Sequence, residues 1–182
     1  VACARGLVMG KGMICSRQDD FKAFYEKVVE ADGVLFVDPI FESGATGLYH
    51  SITDRMGPGH DTGMMKMLDG KLKEAGKEGL NPRYFRQKAL SFVGIGGSDW
   101  AVRCETDHAM FALSPGWKVV NNEFFSWCKD VIMQDDKVER MKEIGRNLAD
   151  AAQQIIDEDM QIEGSEKTSL WKGKEGACPH CQ

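Results

Sequence analysis

The sequence predicts an α/β protein, a three-layer sandwich with helices on both faces of a parallel sheet. Two observations carry that expectation. Apolar runs at residues 34–37, 89–95 and 117–120 lack the regular polar alternation of half-exposed strands, as strands buried on both faces do. The segments between them place apolar residues three and four apart, the spacing of amphipathic helices. Strands that alternate with helices imply parallel pairing through crossover connections.

Each element has its own signal. Asp19 and Asp20 supply helix-start chemistry before Phe21, Phe24, Tyr25, Val28 and Val29, which share one stripe. The strand at 34–37 is closed by Pro39, which cannot donate to a ladder and turns the backbone outward. A loop then leads into a helix carrying Leu48, Ile52 and Met56, which Gly57-Pro58-Gly59 breaks. The next helix carries Met64, Met65, Met67, Leu68 and Leu72, and a polar stretch runs on to Pro82. Residues 89–95 form the second strand, followed by a helix over 100–113, the turn Pro115-Gly116 and the third strand. The last helix, 135–158, lines up Val138, Met141, Leu148, Ala152 and Ile155. Residues 159–182 are polar and irregular and read as an arm, leaving 1–158 as the domain.

Composition narrows the function. With 42% hydrophobic and 28% charged residues, the chain is that of a soluble globular protein. A net charge of −5, with no dense Lys/Arg run, speaks against a nucleic-acid partner. No apolar run reaches the roughly 20 residues of a membrane-spanning helix. Six cysteines with one CxxC spacing read as reduced thiols or metal ligands before disulfides, so cytoplasm is the expected compartment.

Three strands are few for a doubly wound sheet, which usually has about five. The sequence therefore reads as the later part of such a domain, with roughly two strands and a helix expected upstream of Val1. In open α/β sheets ligands sit beyond the carboxyl ends of the strands. Two loops of small residues fall there. The first holds Pro39, Ile40, Phe41, Glu42, Ser43, Gly44, Ala45, Thr46 and Gly47, and the second Gly96, Gly97, Ser98 and Asp99. Each is open to two readings, an ordinary strand-end turn or a backbone wall for a flat, polar ligand.

The series Asp19-Asp20-Phe21, Glu30-Ala31-Asp32-Gly33-Val34, Asp38-Pro39-Ile40-Phe41, Asp54-Arg55, Gly94-Ile95-Gly96-Gly97 and Trp117-Lys118-Val119-Val120 resembles the NADPH-dependent FMN reductase group of flavodoxin-like proteins. It is also similar to the multimeric flavodoxins and iron-sulfur flavoproteins of that group. The likeness runs in order over residues 3–152. Members of that group begin with a strand, a Ser/Thr-rich phosphate loop and a second strand, whereas these 182 residues start at the cysteine-bearing segment that follows. The resemblance implies a flavodoxin-like sheet and an FMN-dependent oxidoreductase. Electrons would pass from NAD(P)H or another donor to a quinone-like or other small acceptor. It further implies that residues 39–47 line the flavin, with Ile40 and Phe41 against the ring and Ser43 to Gly47 offering amides or hydroxyls. Residues 96–99 would take the other side, where glycine lets backbone approach a ring. Because the redox chemistry belongs to the flavin, no acid or base is assigned. His50 and His108 read as surface or helix-face residues, and a homo-oligomer is expected.

The cysteines carry a second reading. Iron-sulfur flavoproteins hold a compact cysteine cluster before the helix that here begins near Asp19. Cys3 and Cys15 alone are too few for a four-cysteine cluster, but Cys178-Pro179-His180-Cys181 adds a pair at metal-ligand spacing. If the arm folds back or reaches a neighbouring subunit, Cys3, Cys15, Cys178 and Cys181 form one iron-sulfur or zinc site. Otherwise the first two are free thiols and the last two a tail. Cys104 and Cys128, the methionines and the four tryptophans read as packing. The rival to a flavin oxidoreductase is thus an electron-carrier or metal-binding subunit without its own flavin.

Overall fold

A computed structural model of the chain describes residues 19–164 and 168–179. Its order is α1 (Phe21–Glu30), β1 (Gly33–Pro39), α2 (Gly47–His60), α3 (Thr62–Glu74), β2 (Ala89–Ile95), α4 (Cys104–Leu113), β3 (Lys118–Phe125) and α5 (Asp135–Asp157). Short 3-10 turns lie at Pro82–Phe85 and Val131–Met133. β2 pairs in parallel with β1 on one side and β3 on the other, in the order β1-β2-β3. Phe36 sits opposite Phe92, and Gly94 opposite Asp38 and Phe124. The predicted α/β class and parallel sheet are what the chain forms.

Two layers cover the sheet. On one face Phe21 and Val28 of α1, Tyr49 and Met56 of α2, and Phe111 and Ala112 of α4 pack on Leu90, Phe92 and Val119. On the other face α5 lays Ile144, Ala151 and Ile155 over Ala89, Val93, Val120 and Phe125. Helix ends are tied as their sequences suggest. Asp19 Oδ1 accepts from Phe21 N at 3.1 Å, and Asp61 Oδ1 from Met64 N at 2.7 Å. Gly57, at φ 36°, interrupts α2 where the Gly-Pro-Gly run predicts a break. No described helix is long and apolar enough to cross a membrane.

Several expectations are corrected. β2 is buried along nearly its whole length, but β1 is an edge strand among the described residues and exposes Leu35 by 43% and Val37 by 52%. An apolar run records the capacity for two-sided burial, and the neighbours decide whether it happens. β3 runs to Phe125, well beyond 120, because Asn121 and Asn122 are buried polar residues with partners. Asn121 Nδ2 donates to Glu123 Oε1 at 3.0 Å, and Asn122 Nδ2 to the Glu105 carbonyl at 2.7 Å. α4 begins at Cys104 rather than near 100. Trp117 packs in the core, whereas Trp100 and Trp127 are 73% and 67% exposed. The C-terminal segment is docked in part: Leu170 is buried, and Lys172 N donates to the Val120 carbonyl at 2.7 Å.

Candidate flavin site at the carboxyl ends of β1 and β2

Parallel pairing aligns the ends of β1 and β2, so the two predicted loops leave the sheet side by side. Ile40 N donates to the Ile95 carbonyl at 2.9 Å, and Gly96 N to the Phe125 carbonyl at 3.0 Å. Ile40, Glu42 and Ser43 of the first loop face Gly96, Gly97 and Ser98 of the second across a cleft of about 140 Å³, closed by Trp100 and Phe124. On the outer side of the first loop, Pro39, Phe41, Thr46 and Gly47 border a second cleft of about 420 Å³ with Phe36, Val37, Asp38, Leu48, Tyr49 and Ile52. The first loop thus stands between two clefts, one mixed in polarity and one mostly apolar.

The predicted residues play unequal parts. Gly44, Ala45 and Thr46 are buried, and Asp99 is exposed and borders neither cleft. A Cβ on Gly44 would lie 2.9 Å from Arg103 Nη2 and 3.0 Å from Asp107 Oδ2, so this glycine allows close packing on α4. Gly96 is buried against the Phe124 ring, 2.9 Å from where its Cβ would be. Gly97 is exposed, and a Cβ there would meet only the Lys129 stem, at 3.3 Å. Of the pair, Gly97 is the one whose backbone stays open.

The turn inside the first loop is unusual. Gly44 N donates to the Phe41 carbonyl at 3.2 Å, and the two residues between, Glu42 and Ser43, have φ of 48° and 69°. Two successive positive φ angles make this a type I′ turn, a shape that favours Asn-Gly. Non-glycine residues held there cost on the order of 1 kcal/mol or more each, and such strain gathers at functional sites. Arg103 N, which donates to the Ser43 carbonyl at 3.1 Å, helps hold the turn.

Beneath the loop lies a buried polar group that the residue pattern alone does not identify. Asp38 Oδ2 accepts from Thr46 N at 2.8 Å, and Asp38 Oδ1 from the Thr46 hydroxyl at 2.6 Å. His108, expected on a surface or helix face, is instead wholly buried, with Nε2 3.6 Å from Asp38 Oδ2. Burial lowers its pKa, against the pull of Asp38. Cys104 Sγ is 3.7 Å from His108 Nδ1, and burial pushes its thiol up to about 12. A Cys–His–Asp series could be taken for a nucleophile and its base, but a wholly buried thiol held protonated attacks nothing. Only the i, i+4 spacing of Cys104 and His108 hinted at this contact.

Of the four predicted metal ligands, only Cys178 lies among the described residues. Cys178 is exposed, while Cys3, Cys15 and Cys181 lie outside the described residues. Among the described residues no group of three His, Cys, Asp or Glu side chains is placed to hold a metal. Cys104 and Cys128 are buried, as expected of packing residues.

The chain resembles known proteins in sequence and in fold. Residues 4–131 match the family described as NADPH-dependent FMN reductase. A solved structure titled flavone reductase is 40% identical, with a TM-score of 0.76 over 94% of this chain and 56% of that one. The chain therefore spans about half the length of that protein. An apo NADH:FMN oxidoreductase structure is 18% identical, with a TM-score of 0.44 over 92% of this chain and 72% of the other. No curated protein sequence matches the chain.

Proposed function

Because the chain belongs to the NADPH-dependent FMN reductase family, we propose that it forms the flavin-ring side of an FMN-dependent oxidoreductase. The observation that carries this reading is the strained 41–44 turn standing between two clefts and opposite the open backbone of Gly97. These residues fit a flat, amphipathic ring. Ile40, Trp100 and Phe124 in the smaller cleft and Phe41 in the larger supply apolar contact, while Ser43 and Ser98 in the smaller and Gly47 in the larger bring backbone and hydroxyl groups to the rims. Bound FMN would accept a hydride from a nicotinamide and pass electrons on. The chain's own part is to position the ring, cover its apolar area and leave one face open.

The donor in this reading is NAD(P)H and the acceptor a quinone-like or other small conjugated molecule. The similar flavone reductase adds a flavone to the acceptors worth trying. A homo-oligomer is supported by the apolar rim of the two clefts, where Phe41, Leu48 and Trp100 are each at least 66% exposed. The proposed redox chemistry belongs to the flavin, and its protein surroundings are the two loops.

The test is spectroscopic. Purified protein incubated with FMN and desalted should retain the two flavin absorbance bands. Anaerobic NADPH or NADH should bleach them, and a quinone or flavone should restore them. Protein that keeps no FMN, or whose bound FMN no nicotinamide reduces, overturns the reading. Light scattering gives the subunit number.

A further inference from the structure

Asp38 is the last residue of β1 before the proline that ends it, and it is 5% exposed. A buried carboxylate is costly unless its oxygens are satisfied. Both are, and by one residue: Thr46 donates its backbone N–H to Oδ2 at 2.8 Å and its hydroxyl to Oδ1 at 2.6 Å. The Thr46 hydroxyl in turn accepts from Tyr49 N at 3.1 Å, which caps α2. Asp38 therefore joins the end of a strand to the start of a helix across the seven residues 39–45. Within that span lies the type I′ turn with Glu42 and Ser43 at positive φ. A turn that its own residues disfavour persists only if its surroundings over-determine it. The surroundings here are the Asp38–Thr46 pair at the base, the Arg103 N–Ser43 carbonyl bond at the side and the Ile40 N–Ile95 carbonyl bond to the sheet.

We infer that Asp38 is a positioning residue of the flavin loop: through Thr46 it holds the 41–44 turn in its ligand-binding shape without itself carrying out chemistry. The inference rests on the proposed FMN site. His108 and Cys104 form the buried backing of the carboxylate. Phe92 stacks on the His108 ring at 5.1 Å between centroids, and Tyr49 meets it edge-on at 5.0 Å. The carboxylate is thus held from behind by rings and in front by Thr46, so it has little freedom to rotate away. This is the division of labour that precise sites require, with a supporting residue locked by packing and a loop locked by the supporting residue.

Asp38→Asn keeps the shape but puts an amide nitrogen where one acceptor stood, and Thr46→Val removes the hydroxyl from the other side. Thr46→Ser keeps it. Two measurements on the full chain test the inference. In flavin-free protein, hydrogen exchange at residues 41–46 should be at least about ten-fold faster in D38N and T46V than in wild type, and unchanged in T46S. FMN affinity, read by quenching of flavin fluorescence, should weaken about ten-fold or more in D38N and T46V, with T46S within about two-fold of wild type. Unchanged exchange in D38N and T46V overturns the clamp. Faster exchange with unchanged FMN affinity overturns the positioning role. A wild-type chain that binds no FMN overturns the flavin reading and the positioning role with it, while the exchange data still report on the clamp. Should D38N fail to fold, T46V against T46S separates the same outcomes.

Discussion

His60 stacks on Phe111 with ring centroids 3.9 Å apart, and its Nε2 donates to the Phe111 backbone carbonyl at 2.6 Å. Trp117 closes the other side, edge-on at 4.9 Å. One contact thus fastens the end of α2 to α4, at the amino end of β3 and away from the two loops. Burial lowers the imidazole pKa to about 4, against smaller opposing contributions from the Phe111 carbonyl and Asp61.

That value sets a pH dependence. The unfolded chain takes up the proton near pH 6.5, the folded chain only near 4, so the unfolded state binds more protons between them. Stability should be full above about 6.5 and fall as pH drops toward 4, by up to about 3 kcal/mol from this group. His60→Gln should lose stability at pH 7.5, where the stacked ring is missed, and lose much less against wild type at pH 4.5. Urea unfolding at the two pH values is the check, and an equal difference at both would disprove the assignment.

Lys88 gives the same end of the sheet a second tie, beside the same Trp117 ring. It is 2% exposed, and its Nζ donates to the carbonyls of Val29, at 2.7 Å, and Ala31, where α1 ends. Burial lowers its pKa to about 8, partly offset by Asp32. The unfolded side chain keeps its proton to about 10.5, so between these values the unfolded state binds more protons and stability rises with pH. Lys88→Met leaves two carbonyls without their donor and should cost about 1–3 kcal/mol at pH 7. It should also remove part of the rise between pH 8 and 10.5. Denaturant melts of both proteins at pH 7 and pH 10 test both statements.

Gly97→Val should leave the fold intact and weaken FMN binding. The new side chain would meet the Lys129 stem, which can move aside, and would occupy the open edge of the smaller cleft. Melting temperature and retained flavin separate the two effects. An unchanged flavin content at unchanged stability would remove Gly97 from the site.

Gly94→Ala should act the other way, on stability first. Its Cβ would fall 2.7 Å from Cys104 Sγ and 3.0 Å from Ile40 Cδ1, inside a packed layer. A loss of about 1–3 kcal/mol is expected. Cys104→Ala in the same chain should recover part of it by removing the sulfur, and a double-mutant cycle by denaturant melting measures the coupling. Purely additive changes would show that the sulfur is not what the methyl group meets.

Much of this molecule was legible from the order of its residues. Apolar runs, three-and-four spacing, Pro39 and the Gly57–Gly59 break are local signals, and they placed the strands, the helices and the two loops. The parallel sheet followed from the alternation alone. Because parallel strands end together, the loops at 39–47 and 96–99 had to meet, and they do. Only the folded chain could show which loop residues leave open space and which pack. Gly44 and Gly97 look alike in sequence, yet one backs onto Arg103 and the other faces open space beside Lys129. The burial of His108, the hold of Asp38 on Thr46 and the exposure of Val37 were equally beyond reach. Each depends on which side chains arrive from distant parts of the chain, and periodicity describes only how a segment presents itself, not what it will meet.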